Sequence, residues 1–134
     1  MGRINKIEIL KYGENEFSKV SSVSSRIKVM FFQKKYSSEA FEIFNDWLSK
    51  PLVYILKGYD YENDNFQFYV GETINFFQRS NNFEHYYNEE WVEQIIIISS
   101  KDQEQIFNKS ELQYFEKIFI NKLNDNKNIL ILKK

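Results

Sequence analysis

The fold of this chain is decided in residues 68–79, which read FYVGETINFFQR. An aromatic and β-branched run, typical of a strand, ends at Gly71. Thr73 and Asn75 then provide side chains that favour the start of a helix. That helix carries two phenylalanines and has Arg79 near its end. The stretch therefore predicts a strand, a close turn at the glycine and a short helix from Thr73 to Arg79 with one cation.

The segment upstream predicts the partner of this strand. Residues 51–58, PLVYILKG, are apolar at nearly every position, as in a central strand with both faces covered. The turn-forming cluster YDYENDN separates them from the strand at 66–71. Side chains alternate between the two faces of a strand, so an antiparallel hairpin would place Tyr54 and Tyr69 on the same face.

The other elements follow from periodicity and capping signals. Ser110 and Gln113 match a capping box that opens a helix. The predicted elements are a strand at Lys6–Lys11, a loop at 12–25, a strand at Arg26–Gln33, a helix from Ser37 or Ser38 to Leu48, a helical segment at Phe83–Glu90, a buried strand at Trp91–Ser99, a polar loop at 101–105, a helix from Ser110 to Leu123 and a strand at Asn128–Leu132.

This order predicts an α/β (α+β) fold with a three-stranded antiparallel core sheet flanked by helices. Pro51 marks a boundary between two units. Residues 1–50 form an N-terminal strand-strand-helix extension with an accessory role, and residues 51–134 form the main domain. The apolar strand at the end of the chain suggests either a domain of a longer protein or a reduced protein.

Composition excludes several classes of site and location. The 134 residues contain no cysteine and one histidine. Disulfides, thiolate zinc sites, cysteine nucleophiles and multi-histidine metal sites are therefore excluded. No apolar run reaches the ~20 residues of a membrane helix, and no signal-peptide pattern opens the chain. We expect a cytoplasmic protein without a membrane partner.

Charge is distributed unevenly along the chain. Residues 1–50 hold 9 Lys/Arg against 6 Asp/Glu, whereas residues 51–134 hold 9 against 13. The first part is mildly basic and the second is acidic. Binding of a phosphate backbone by residues 51–134 would therefore depend on a few focused cations.

Four side chains are candidates for chemistry. Glu116 has apolar neighbours three and four positions away in the predicted helix, and a buried carboxylate normally needs a cation or a metal. Together with Tyr54, Tyr69 and Arg79 it would form an anion site if the four converge on one sheet face. Structural roles are open for each: packing for the tyrosines, a helix-end cation for Arg79, a lysine partner for Glu116, and simple exposure for His85.

In their order, these residues resemble the GIY-YIG nuclease superfamily. Leu52-Val53-Tyr54 and Tyr69-Val70-Gly71 are similar to the two tripeptides that name it, although leucine replaces the first glycine and the spacer is longer. The resemblance covers about residues 51–123. Its further matches are Gly71-Glu72-Thr73, Asn75, Arg79, His85, the segment Phe107-Asn108-Lys109-Ser110, and Glu116. Family members often carry an asparagine after the last helix, in a final strand. This sequence departs from that pattern, because ILILKK has no clear equivalent, although Asn124, Asn126 and Asn128 precede it.

The resemblance implies a compact α/β fold and hydrolysis of DNA phosphodiester bonds with one divalent metal, Mg²⁺ or Mn²⁺. It implies that Glu116 holds the metal, that Tyr54 is the general base or a proton relay, and that Tyr69 binds the water or the phosphate. Arg79 would neutralise charge on the phosphoryl group, and His85 would assist Tyr54 or contact the phosphate. Since an ordinary tyrosine has a pKa of about 10, Arg79 and the metal are expected to lower it.

Two alternatives come from other classes of function. The first is a catalytically inactive module of the same fold that binds nucleic acid or a protein. The second is an interaction module whose partner-binding surface contains five aromatic residues, Phe76, Phe77, Phe83, Tyr86 and Tyr87. Similar bacterial domains are fused to or associated with DNA-binding or ATPase modules, so such a partner is also expected.

Overall fold

The computed structural model describes residues 7–11, 18–22, 27–82, 84–100, 107–124 and 129–132. Its strands are β1 (Ile7–Lys11), β2 (Ser18–Ser22), β3 (Ile27–Gln33), β4 (Leu52–Asp60), β5 (Asn65–Thr73), β6 (Val92–Ser100) and β7 (Ile129–Leu132). They form one sheet in the order β1–β2–β3–β6–β4–β5–β7. Neighbouring strands are antiparallel, except that β7 runs parallel to β5.

The helices are α1 (Ser37–Ile43), α2 (Asn45–Leu48), α3 (Phe76–Ser80) and α4 (Lys109–Asn124). The protein is therefore α+β with an antiparallel sheet, as predicted. The single helix predicted up to Leu48 is wrong, because Phe44 leaves the helical conformation with φ −103° and ψ 21°. The sequence predicts a longer helical segment at 83–90, but within its described part, residues 84–90, the structure has one 3₁₀ turn, Tyr86–Asn88. None of the described helices is long and apolar enough to cross a membrane.

Strand β4 is central, as its sequence predicts. It pairs with β5 on one side and β6 on the other, and all five residues from Leu52 to Leu56 are buried. The predicted three-stranded core β6–β4–β5 is therefore present, but as the middle of a larger sheet. Strand β3 extends it by pairing with β6 from Ile27 opposite Ser100 to Gln33 opposite Gln94.

Strand β2 corrects the prediction of a loop over residues 12–25. Its sequence, SKVSS, has one apolar residue and so lacks the alternation by which strands are recognised. It is held instead by backbone pairing with β1 on one side and β3 on the other. Strands from both sides of the predicted boundary at Pro51 thus belong to one sheet. The loop predicted at 101–105 lies outside the described residues.

The sheet has two covered faces. On one, which we call the tyrosine face, Tyr54 and Tyr69 pack with residues of α1, α2 and α3 such as Ala40, Leu48 and Phe76. On the other, the α4 face, the residues of β4 and β5 whose side chains point away from the tyrosine face pack against helix α4. These are Val53, Ile55, Phe68 and Val70 from the strands, and Leu112, Phe115 and Phe119 from the helix.

Helix α4 begins two residues earlier than its predicted cap implies. The Oδ1 atom of Asn108 accepts a hydrogen bond of 2.8 Å from the Glu111 amide, and Glu111 Oε1 accepts one of 3.2 Å from the Asn108 amide. This reciprocal pair is the capping box, so the box predicted at Ser110 is wrong. Asparagine satisfies the free amides as well as serine does. As a result, Lys109 is the first residue of the helix.

Candidate active site

Two buried tyrosines lie side by side on the tyrosine face. Tyr54 comes from β4 and Tyr69 from β5, and their ring centroids are 5.9 Å apart. Only 0% and 2% of their surfaces are exposed. The ring of Phe76 packs edge-on against Tyr54 at 5.3 Å. The prediction that the two tyrosines share a face is confirmed, and core packing fixes the positions of their hydroxyls.

Gly71 makes room for the ring of Tyr54. It lies directly opposite Tyr54 in the hairpin, within β5, which continues to Thr73. The turn predicted at this glycine is therefore wrong. A Cβ atom at position 71 would come within 2.5 Å of both Cζ and the hydroxyl oxygen of Tyr54. The glycine is needed because the tyrosine crosses over the neighbouring strand.

Replacement of this glycine tests that relation. We expect Gly71→Ala to displace the Tyr54 ring and to lower the free energy of unfolding by about 1–3 kcal/mol, as overpacking of a core does. Urea unfolding measures the loss. In a Tyr54→Ala background the same substitution should cost little, because the clash is gone. An equal cost in both backgrounds would show that the glycine serves another purpose.

His85 is bonded to Tyr54 in one defined orientation. Its Nδ1 atom accepts a hydrogen bond of 3.0 Å from the Tyr87 amide, and its Nε2 atom lies 2.8 Å from the Tyr54 hydroxyl. With Nδ1 acting as an acceptor, the neutral ring carries its proton on Nε2 and donates it to Tyr54. The ring also lies edge-on to Tyr69 at 5.6 Å. His85 is half-buried, so the reading of a simply exposed histidine is wrong.

Burial sets the protonation of both tyrosines. Loss of solvent raises the pKa of Tyr54 strongly, and hydrogen bonding to Tyr69 and the charge of Glu116 raise it further, while Arg79 lowers it. Burial also raises the pKa of Tyr69, against the lowering effects of the hydrogen bond from Tyr54 and of Arg79. The expected lowering by Arg79 is present, but burial outweighs it. Both hydroxyls therefore keep their protons at neutral pH.

The raised pKa values predict a loss of stability in alkali. For Tyr54, Tyr69 and Tyr87 the pKa in the folded chain lies above the ordinary value of 10.0, mainly through burial. Ionisation of these hydroxyls then favours the unfolded chain. The free energy of unfolding therefore keeps its full value well below pH 10 and decreases above it, by up to about 1.4 kcal/mol per pH unit for each tyrosine.

Urea midpoints measured between about pH 8 and pH 11 check this expectation. Tyr54→Phe should make the alkaline decline shallower, because one buried ionisable hydroxyl is removed. Tyr61→Phe is the matched control, since Tyr61 is 80% exposed. Parallel curves for the wild type and Tyr54→Phe would contradict the assignment of Tyr54 as a buried, protonated group.

Arg79 lies in α3, which begins at Phe76 and not at the predicted Thr73. The Asn75 side chain caps it by accepting a 3.0 Å hydrogen bond from the Phe77 amide. The buried Nε atom of Arg79 has no hydrogen-bond acceptor among the described residues. The arginine lines a cleft of about 360 Å³, here called the cationic cleft. Its other lining residues include Glu72, Thr73, Gln78, Lys109 and Leu112.

Glu116 lies in α4 and lines a second cleft of about 260 Å³, here called the carboxylate cleft. Glu72, which also borders the cationic cleft, is part of its wall. The Oε2 atom of Glu72 is buried and has no hydrogen-bond partner among the described residues. Sequence reasoning missed Glu72 as a site residue. The available signal was a carboxylate in a strand of aromatic and β-branched residues, on the face opposite Tyr69.

Some of the predicted site residues are in direct contact, and the others line neighbouring clefts. Tyr54, Tyr69 and His85 are in direct contact. Arg79 and Glu116 line separate clefts joined at Glu72, yet the charges of both act on the two tyrosine hydroxyls. Within the described ranges, no group of three or more His, Asp, Glu or Cys residues is arranged to hold a metal.

The aromatic residues proposed as a partner surface are mostly internal. Phe76 is 0% and Tyr87 4% exposed, and both belong to the core of the tyrosine face. Phe77 and Tyr86 are half-buried against that core. Phe83 lies outside the described residues. In this conformation the buried pair is not available to a partner.

Comparisons of the chain with protein-family models, with curated proteins and with solved structures gave no match. The functional interpretation therefore depends on the site itself.

Proposed function

We propose that this chain is a metal-dependent endonuclease of the GIY-YIG kind, which hydrolyses phosphodiester bonds in DNA. The observation that carries the proposal is the contact of His85, Tyr54 and Tyr69, with a guanidinium and a carboxylate whose charges act on the hydroxyls. This combination suits a reaction in which a water loses a proton while negative charge grows on a phosphoryl group. The order of the motif residues in the sequence is a second, independent support.

In this proposal His85 assists Tyr54 by donating a hydrogen bond. Because the Tyr87 amide occupies Nδ1, the neutral ring cannot take the tyrosine proton at Nε2, where it already carries one. Donation to the Tyr54 oxygen favours its ionised form, as does the charge of Arg79. Tyr54 acts as the base in its ionised form: it first releases its own proton to solvent, which these charges favour against its burial, and then receives the proton of the attacking water.

Tyr69 and Arg79 are assigned to the water and the phosphate. The Tyr69 ring lies 5.9 Å from that of Tyr54, and its hydroxyl keeps a proton that can orient a water or a phosphate oxygen. The buried Nε–H of Arg79 has no acceptor among the described residues, so it is assigned to a phosphate oxygen. It would stabilise the charge that develops during phosphoryl transfer.

The residues present fit a divalent metal at the carboxylate cleft. Mg²⁺ is typically held by one or two carboxylates together with waters and substrate phosphates. Glu116 and Glu72 line the same cleft, and the buried Oε2 atom of Glu72 has no described partner. When bound there, Mg²⁺ or Mn²⁺ would neutralise the Glu116 charge that raises the pKa of Tyr54, and would stabilise the leaving oxygen.

A second candidate is a catalytically inactive module of the same fold that binds nucleic acid or protein. It is favoured by the net acidity of residues 51–134, with 9 Lys/Arg against 13 Asp/Glu, and by the raised pKa of Tyr54. In either case DNA affinity is expected to depend partly on a fused or associated DNA-binding or ATPase module.

An end-labelled DNA duplex separates these candidates. Incubated with Mg²⁺ or Mn²⁺, the nuclease cuts it, and EDTA prevents the cut. Binding to the same duplex is measured in parallel by fluorescence anisotropy in EDTA. Binding without cleavage in either metal at high protein concentration would support the inactive module and overturn the nuclease.

A further inference from the structure

We propose that the cationic cleft binds a second backbone phosphate of the nucleic acid, adjacent to the one being hydrolysed, and that Lys109 holds it. This inference rests on the proposed function, because it defines how the substrate lies on that site. Lys109 is then a positioning residue, since it contacts substrate away from the reacting atoms.

Two cationic residues line the cleft. Arg79 lies in α3 and Lys109 is the first residue of α4, and both line the same cleft of about 360 Å³. Lys109 is exposed. The buried Nε of Arg79 has no acceptor among the residues that the structure describes. A guanidinium fork and an ammonium point charge are the two side chains that commonly bind phosphates.

The cleft also has polar groups suited to a phosphodiester. Gln78 is exposed on its rim. The start of α4 adds the positive end of a helix of 16 residues. The polar and cationic groups complement an anion. The remaining lining is partly apolar and includes Pro51, Ile74, Phe107 and Leu112.

The position of Glu72 bears on where each of the two phosphates is placed. Its carboxylate borders both clefts, and a phosphate beside it would be repelled unless a cation lay between them. The phosphate undergoing hydrolysis is therefore assigned to the Glu72 border, where a metal held by Glu72 and Glu116 would lie between the negative charges. The neighbouring phosphate is assigned to Lys109, which lines the same cleft as Arg79.

The test measures affinity for a labelled duplex by fluorescence anisotropy in EDTA, at several salt concentrations between 50 and 200 mM. We expect Lys109→Gln to raise Kd at the lowest salt by at least about threefold and to reduce the slope of log Kd against log salt by roughly 0.9. Lys109→Arg should restore most of both. Lys122→Gln is the matched control, because Lys122 is exposed in the last turn of the same helix.

The outcomes separate this inference from the nuclease proposal. If Lys109→Gln changes the salt slope but the wild type does not cleave the duplex in Mg²⁺, the phosphate contact is supported and the proposed hydrolysis is overturned. Cleavage by the wild type with an unchanged slope for Lys109→Gln would overturn the phosphate contact alone. No duplex binding by the wild type would also overturn it. Lys109-dependent binding of inorganic phosphate without an effect on the duplex would identify a small-anion site and overturn the inference.

Discussion

Glu116→Gln is expected to remove metal-dependent DNA cleavage, lowering the single-turnover rate by about a thousandfold or more. A metal supplies several kcal/mol of transition-state stabilisation, and each 1.36 kcal/mol is a factor of ten. The substitution keeps the size of the side chain but removes its charge, which acts on both Tyr54 and Tyr69. Gel analysis of labelled duplex under excess enzyme measures the rate.

Glu93→Gln is the matched control for this experiment. Glu93 is an exposed carboxylate on β6 and lines a different cleft with Gln33 and Lys34. The Glu93→Gln protein should cleave the duplex at the rate of the wild type. The urea midpoints of the Glu93→Gln and Glu116→Gln proteins show whether the fold is intact. Wild-type cleavage by a folded Glu116→Gln protein would remove Glu116 from the site.

Arg79→Ala is expected to lower the single-turnover rate by about a hundred- to a thousandfold. Removal of one preorganised donor to a developing negative charge typically has an effect of this size. Its buried Nε has no acceptor among the described residues, so this N–H is still able to donate to a phosphate oxygen. Arg79→Lys should restore only part of the rate, because an ammonium lacks the planar fork.

The control for Arg79 is Lys122→Ala. Lys122 is an exposed cation in the last turn of α4 that lines neither cleft, and its replacement should change the rate only slightly. Affinity for the duplex in EDTA is measured for each variant, so that weaker binding is not mistaken for slower chemistry. If Arg79→Ala lost affinity but kept the wild-type rate at saturation, the arginine would be a binding residue only.

The hairpin and the central strand were predictable because their signal is local. Leu52 to Leu56 are apolar on both faces, which is characteristic of a strand covered on both sides. Alternation along two paired strands was enough to place Tyr54 and Tyr69 on one face. Glu116 was recognisable because a carboxylate beside the apolar stripe of a helix departs from the pattern around it.

Contacts between distant positions could not be predicted in the same way. His85 meets Tyr54 across 31 positions of sequence, and its orientation depends on the Tyr87 amide. Glu72 could be recognised as a site residue only in the folded chain, because it borders both clefts and has a buried oxygen there. Strand β2 was missed because backbone pairing holds it and its side chains carry no periodic signal.

The role of Gly71 illustrates a third limit. A glycine after an aromatic strand favours a turn, and sequence alone gives no reason to look across the hairpin. Its actual task is set by the partner strand, where the Tyr54 ring occupies the space of its missing side chain. Local preference and tertiary packing both explain a glycine here, and only the packing matches the observed strand.

The central claim is that the tyrosines, the arginine and the glutamate act as one hydrolytic site. A double-mutant cycle on Tyr69→Phe and Arg79→Ala, measured as single-turnover cleavage of a labelled duplex in Mg²⁺, tests it most directly. For groups that act on the same phosphate, the double variant should be little slower than the slower single variant. Losses that multiply, or a wild-type protein that leaves the duplex intact in both Mg²⁺ and Mn²⁺, would contradict the claim.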